Sequence, residues 1–165
     1  MNRIILAGGC FWGVEAYFAQ LKGITKVYSG YVNGNKENPT YEKVCSGIAT
    51  HAEAIYLEFD ESIISLNKVL EHYFRIIDPT SLNKQGNDVG IQYRTGIYYY
   101  DDKTYRVAKK YLLNIQNNYK NPIVVELEEV DNFYKAEYYH QNYLANNPNG
   151  YCHIDLSLAR EDEKR

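Results

Sequence analysis

The stretch Ile4-Ile5-Leu6-Ala7-Gly8-Gly9-Cys10-Phe11-Trp12-Gly13-Val14-Glu15 changes its hydrophobic period midway. A short apolar run, read as a buried strand over 4–7, breaks at paired glycines. From Trp12 to Leu21 apolar residues then recur at helical spacing, as Val14, Tyr17, Phe18 and Leu21. Strand, tight turn and helix together open an α/β unit, and they leave a cysteine at the helix N-terminus. A thiol there faces unpaired backbone N–H groups and the positive end of the helix dipole, so it tends toward the nucleophilic thiolate. Phe11 and Trp12 follow as candidate walls of an apolar substrate pocket. A buried structural cysteine between packing aromatics is the plainer reading, but glycines on both sides tilt it toward function.

Outward from this stretch, strand and helix keep alternating. Gly23 stops the first helix. Val27–Val32 reads as a second strand, and 33–40, with Gly34 and Pro39, as a loop. Ala52–Phe59 alternates as a strand. The segment from Leu66 to Ile77 is amphipathic, with Leu66, Val69, Leu70, Tyr73, Phe74 and Ile77 on one face, Ser65 as its cap and Asp78-Pro79 as its end. A long polar loop with Gly86 and Gly90 covers 81–93. A strand over 95–100 leads to a helix from Lys103 to Asn117, capped by Asp101 or Asp102. Another strand spans 122–130, and a last short helix lies within 133–144. The chain is irregular from Asn146 on, and 160–165 form a charged, frayed tail. With no repeat or linker, residues 1–165 read as one domain. Strands mixed with crossover helices predict an α/β (α+β) two-layer sandwich built on a mixed sheet, with the strand order left open.

A chain of 165 residues is long enough for one real core. Its net charge of −3 gives no reason to expect nucleic acid or an anionic membrane as the main partner. Met1-Asn2-Arg3 leads into an apolar stretch that ends at Gly8, unlike a signal peptide, and no apolar run is long enough to span a bilayer. The three cysteines, Cys10, Cys45 and Cys152, are odd in number and widely spaced. That argues against a secreted disulfide scaffold and suits a reducing cytoplasm with at least one functional thiol. Eighteen tyrosines are enough to place several phenols around one pocket.

A glycine-bearing loop as long as 81–93 is more often functional than idle. Its Asp88, taken alone, reads as an Asx-type turn former. Glu53 heads the strand in Thr50-His51-Ala52-Glu53-Ala54. A carboxyl there is either on the solvent face, which the pattern by itself favours, or buried and neutral. If buried near Cys10, its raised pKa would suit a general acid near neutral pH. His51 shares a strand face with Glu53, and His140 reads as a hydrogen-bonded structural histidine. A metal site is poorly supported, since no CxxC or HxxxH spacing occurs.

The motifs resemble those of the A-type peptide methionine sulfoxide reductases. Gly9-Cys10-Phe11-Trp12-Gly13 looks like that family's active-site signature. Ser29-Gly30-Tyr31 and Asn38-Pro39-Thr40-Tyr41-Glu42-Lys43-Val44-Cys45-Ser46-Gly47 resemble its second block, and His51-Ala52-Glu53-Ala54 its third. Asp78-Pro79-Thr80, the run from Gln85 to Gly90 and Gln92-Tyr93-Arg94 resemble the fourth. The run from Ala136 to Gln141 and Pro148-Asn149-Gly150-Tyr151-Cys152 resemble the C-terminal blocks. The order is kept over nearly the whole chain. The chain departs at Ile48-Ala49-Thr50, where the family has Arg-Thr-Gly, and it has no cysteine after Cys152, so a relay to an outer disulfide is absent.

The resemblance implies a single catalytic domain with a ferredoxin-like core and an irregular C-terminal segment. It implies reduction of methionine S-sulfoxide, free or in oxidised proteins, without a bound cofactor or metal, by a chain expected to be monomeric. The residue types fit that chemistry. A sulfoxide sulfur is electrophilic but its oxygen leaves poorly, so the reaction needs a thiolate, here Cys10, and a proton donor, here Glu53. Tyr41 and Tyr93 can donate hydrogen bonds to the oxygen in the manner of an oxyanion hole. Phe11 and Trp12 would enclose the substrate methyl group, and Asp88 matches a residue of the polar network near the substrate. Cys152 matches the resolving position that turns the Cys10 sulfenic acid into a disulfide, which thioredoxin then reduces. Cys45 is expected to be a packed structural thiol. Two rival readings are a thiol hydrolase or acyltransferase using His51 or His140 as base, and a non-catalytic peptide-binding module.

Overall fold

In the computed structural model, which describes residues 2–165, the opening stretch forms strand β1 (Asn2–Ala7), a tight turn and helix α1 (Phe11–Ala19). Strands β2 (Ile24–Val32) and β3 (Ala52–Phe59) follow, with the short helix α2 (Tyr41–Cys45) between them. Helix α3 (Leu66–Ile76) leads to a hairpin of two-residue strands, β4 (Lys84–Gln85) and β5 (Asp88–Val89), inside the segment expected to be a plain loop. Then come β6 (Gly96–Tyr99), α4 (Asp102–Ile115), β7 (Glu126–Glu129), β8 (Phe133–Lys135) and α5 (Tyr143–Asn146). The large sheet runs β7-β6-β1-β3-β2-β8 and is antiparallel except for the β6–β7 pair. Its inner four strands, β6-β1-β3-β2, with α1 and α3 as crossovers, make a ferredoxin-like core.

The period-2 alternation of the strands divides the interior. On β3, Ile55, Leu57 and Phe59 pack toward the helices with Val14, Phe18, Val69 and Leu70. Ala52, Ala54 and Tyr56 face the other way, where Tyr28 stacks on Tyr56 at 4.7 Å and the Arg3 guanidinium lies 3.8 Å from the centre of the Tyr100 ring. The helix caps are local: Ser65 Oγ accepts the Lys68 N–H at 3.1 Å and Asp101 Oδ1 accepts the Thr104 N–H at 2.8 Å.

The helix expected within 133–144 does not form as a unit. Phe133–Lys135 instead adds to the edge of β2, with Val32 opposite Phe133 and Gly30 opposite Lys135. Pairing and packing override helical spacing in so short a run. The strand expected over 122–130 contracts to Glu126–Glu129 because β6 offers partners only from Gly96 to Tyr99.

The tail is not frayed. Lys164 bridges to Leu21, the Lys22 N–H donates to Glu163 O at 2.9 Å, and the Arg165 N–H donates to Gln20 O at 3.0 Å. Arg75 grips the Glu163 carboxylate with two bonds of 2.8 and 2.9 Å, and Lys68 stands 3.2 Å away. These cations hold the Glu163 carboxyl far below the usual range. Glu163→Gln should therefore lower the unfolding free energy at pH 7 by about 2–3 kcal/mol, read as a lower urea midpoint. A depressed carboxyl stabilises the fold above its unfolded pKa and loses that effect as pH falls, so the two chains should converge in acid. An equal midpoint at pH 7 would rule out this clip.

Candidate active site

The site begins at the β1–α1 turn. The Tyr73 hydroxyl donates to Ala7 O at 2.5 Å and accepts the Gly96 N–H at 3.1 Å, which ties the end of β1 to the start of β6. Gly9 then turns the chain at φ +87°, and a Cβ there would lie 2.7 Å from His153 Nε2. Cys10 is the N-cap residue of α1, but its side chain caps nothing and the first turn holds no acid. The missing acceptor comes from β3: Glu53 Oε1 accepts the Phe11 N–H at 3.2 Å. A strand carboxyl thus caps the helix that presents the cysteine, and this contact seats the carboxyl beside Cys10.

Glu53 is 1% exposed, so the solvated reading favoured by pattern is wrong. The residue shares the helix-covered side of β3 with Ile55 and Leu57. Burial pushes its pKa up to about 8, with Asp88 adding to the rise and the Phe11 N–H opposing it. Glu53 Oε2 has no hydrogen-bond partner among the described residues. Cys10 is itself buried, and burial together with the nearby Glu53 charge pushes its thiol well above the ordinary range. The Trp12 backbone N–H pulls the other way without prevailing. The expectation of a standing thiolate is therefore corrected: the helix N-terminus is present, but desolvation outweighs it. At pH 7 the resting pair is a neutral thiol beside a largely protonated acid.

Two phenols share this field. Tyr41 opens α2, whose first turn is capped by Thr40, and its own N–H donates to Glu137 Oε2 at 2.8 Å. Glu137 Oε1 in turn accepts the Tyr31 hydroxyl at 2.6 Å. The Tyr41 and Tyr93 hydroxyls are both pushed up, first by burial, and so remain O–H donors; Glu53 contributes to each shift, and Cys10 acts on Tyr93. Asp88 is no Asx-turn former. It sits in β5, accepts the Tyr151 hydroxyl at 3.1 Å and lies 3.9 Å from His153 Nδ1. Gln85 holds the hairpin in place by exchanging bonds of 2.8 and 2.9 Å with the Asp78 backbone.

Phe11 and Trp12 form an aromatic wall with His140. The Phe11 ring lies 5.2 Å from the His140 ring, and Trp12 Nε1–H donates to His140 Nδ1 at 3.0 Å. Trp12 stacks on Tyr143 at 3.8 Å. Cys152 is half-buried in the irregular segment, and its thiol donates to Ile154 O at 3.2 Å. A Cβ on Gly13 would come within 3.2 Å of Cys152 Sγ, so the sulfur rests against α1 one turn from Cys10 and acts electrostatically on it.

The structure thus gathers Cys10, Glu53, Tyr41, Tyr93, Asp88, Cys152, Phe11 and Trp12 around the start of α1. Cys45 differs from expectation: it is exposed, because Val44 takes the buried place in the short helix, and its thiol is hydrogen-bonded by the Tyr41 hydroxyl. At Ile48-Ala49-Thr50, where the sequence departs from the family pattern, Thr50 and Asn35 exchange paired hydrogen bonds and Ala49 is fully buried. Neither His51 nor His140 is among the groups that act most strongly on Cys10. His51 is buried against the Tyr134 ring, where a Cβ on Gly34 would lie 2.0 Å from its Nδ1. His140 Nδ1 accepts the Trp12 Nε1–H, and its Nε2 has no hydrogen-bond partner among the described residues. Glu137 is not among the residues singled out in the sequence, and His140 enters there only as a structural histidine or as the base of the rival reading. Their presence in one motif block was the available signal, but nothing local pointed to partners as distant as Tyr31 and Trp12.

Three comparisons bear on this site. The model of the family described as Peptide methionine sulfoxide reductase matches residues 2–165. A Clostridium botulinum (strain Hall) protein named Peptide methionine sulfoxide reductase MsrA is 58% identical over 156 residues, spanning 94% of this chain and 99% of that protein. One of the same name from Mycoplasma genitalium is 51% identical over 154 residues, spanning 93% and 98%. Among solved structures, Mxr1 from Saccharomyces cerevisiae in reduced form is 38% identical with a TM-score of 0.86, over 92% of this chain and 88% of that one. Mxr1 in complex with Trx2 gives 28% identity and a TM-score of 0.62, over 86% and 84%.

Proposed function

Because this chain belongs to the peptide methionine sulfoxide reductase family, we propose that it reduces methionine S-sulfoxide to methionine and is recycled by thioredoxin. The observation that carries the residue roles is the buried Glu53 carboxyl, with one oxygen unpartnered, beside the buried Cys10 thiol. Glu53, protonated, donates to the sulfoxide oxygen, and the Tyr41 and Tyr93 hydroxyls add hydrogen bonds as charge gathers there. The Cys10 sulfur attacks the sulfoxide sulfur. Once Glu53 has given up its proton, its carboxylate can take the one that Cys10 releases, so the thiol proton in effect ends on the oxygen. The sulfur–oxygen bond of the substrate breaks as its protonated oxygen passes to the Cys10 sulfur and the transient sulfur–sulfur bond opens; methionine leaves reduced by two electrons, and Cys10, oxidised by two, becomes a sulfenic acid. Phe11, Trp12 and His140 offer an apolar wall for the substrate methyl, and Asp88 orders the polar side through Tyr151 and His153.

Cys152 then condenses with the sulfenic acid, and an external dithiol reopens the disulfide. The Mxr1–Trx2 complex supports thioredoxin in this part. The irregular chain around Cys152, resting against Gly13, supports it as the resolving thiol. Free methionine sulfoxide and oxidised proteins are the substrates, and the chain acts as a monomer in the cytoplasm.

Two measurements test this reading. Thiol titration should show loss of two thiols per chain after exposure to a methionine sulfoxide peptide without reductant, whereas acyl transfer or simple peptide binding would leave the count unchanged. On separated epimers of the sulfoxide, methionine should form from the S form alone. Equal rates on both epimers would overturn the assignment.

A further inference from the structure

We infer that Glu15 is a positioning residue for the disulfide-forming step: its buried carboxyl holds the base of the segment that carries Cys152 and so keeps that thiol within reach of Cys10. The inference rests on the roles proposed above for the two cysteines.

Glu15 lies on α1, one turn past Phe11, and is only 2% exposed. Its Oε1 accepts the backbone N–H of Asn142 at 2.8 Å. Its Oε2 has no hydrogen-bond partner among the described residues, and burial prevails over the Asn142 and Tyr143 N–H groups, pushing its pKa up to about 7. Asn142 turns the chain at φ +52°, a left-handed conformation uncommon for a residue other than glycine, and α5 starts immediately after it. Tyr143 then stacks on Trp12, and the irregular chain beyond α5 reaches Cys152. The strained turn on which the segment pivots is therefore clamped to the helix that bears Cys10.

Beside the clamp is a cavity of about 340 Å³ whose lining is mostly apolar, with Ala16, Ala19, Leu144 and Leu156, beside Glu15 and the neutral amides Gln20 and Asn142. Its other lining residues carry no charge. A carboxyl kept in such surroundings costs stability unless it is hydrogen-bonded, and an apolar side chain would pack there more simply. Glu15 instead spans from α1 to the pivot, while the cavity leaves α5 room to shift as Cys152 travels from Gly13 to Cys10.

The step itself is balanced. The Cys152 thiol attacks the sulfur of the Cys10 sulfenic acid, the sulfur–oxygen bond breaks and the sulfur–sulfur bond forms. The hydroxide leaves with the Cys152 proton as water, Cys152 being oxidised and Cys10 reduced. Its rate follows the effective concentration of Cys152 at Cys10, which a loosened pivot lowers.

The test loads Cys10 in two ways, with a methionine sulfoxide peptide and, independently of that reaction, with hydrogen peroxide. Disulfide formation is followed by thiol trapping and mass. In Glu15→Ala, disulfide formation should slow about tenfold after either oxidant, while the first equivalent of methionine forms within about twofold of the wild-type rate. Glu15→Gln keeps an acceptor for the Asn142 N–H and should restore most of the rate. Glu15→Asp keeps the charge but withdraws the oxygens by one methylene, should give an intermediate slowing, and serves if the Ala chain does not fold. Wild-type disulfide formation in the Ala and Asp chains would overturn the inference. So would equal losses in methionine and disulfide formation, the mark of a purely structural role. A wild-type chain that forms the disulfide after peroxide but no methionine from the sulfoxide would fault the proposed reaction, and the peroxide arm would still decide on Glu15.

Discussion

Cys10→Ser is expected to form no methionine, whereas Cys152→Ser is expected to form about one equivalent per chain in a first burst and then stall with thioredoxin as reductant. The contrast follows from where the two sulfurs sit. Cys10 lies buried at the start of α1 beside Glu53, and a serine hydroxyl there has neither the nucleophilicity to attack the sulfoxide sulfur nor a sulfur to take up the oxygen. Cys152 rests against Gly13, outside that contact, and enters only after the sulfenic acid has formed. Thioredoxin needs a disulfide to attack, so without Cys152 its turnover should largely cease. A small thiol that reaches Cys10 should restore turnover by reducing the sulfenic acid directly. Cys45→Ser should leave both phases near wild type, since that thiol is exposed on α2 and serves neither as the attacking nor as the resolving sulfur in the proposed sequence. Full thioredoxin-linked turnover in Cys152→Ser, with loss in Cys45→Ser, would make Cys45 the resolving thiol.

Glu53→Gln should slow the single-turnover formation of methionine at pH 7 by roughly 10²–10⁴-fold, the usual contribution of a general acid. Its pH profile carries the sign. Burial raises the folded pKa to about 8, so the acid is protonated below that pH and lost above it. The wild-type rate should be level through neutral pH and fall through about 8, and the glutamine chain should lack that fall. At pH 7 Cys10 should alkylate at about the wild-type rate in the variant, because Glu53 is already largely neutral there and burial is the first cause that holds the thiol neutral. A near-wild-type single-turnover rate in Glu53→Gln would remove this carboxyl from the mechanism.

Much of the scaffold was legible from local patterns. The alternation over Ala52–Phe59 agrees with β3 to the residue, and Ser65 and Asp101 cap the helices they precede, because these signals are satisfied within three or four residues. The segment from Phe133 to Leu144 misled, since its Phe133–Lys135 portion takes its conformation from the edge of β2 rather than from itself. The charged tail misled for a similar reason. Glu163 finds Arg75 on α3, 88 residues back, and a run that looks solvated becomes a clip.

By itself, the sequence determined the alternation of strand and helix, the placing of Cys10 at a helix start, and the ordered motifs that mark the family. Those are properties of neighbours along the chain. Only the tertiary structure decided that Glu53 is a buried acid capping α1, that Cys10 rests as a neutral thiol, and that Cys152 lies against Gly13. Burial and charge proximity depend on every element packed around a group, and here they join β3, α1 and the C-terminal segment, so a protonation state is a property of the assembled interior.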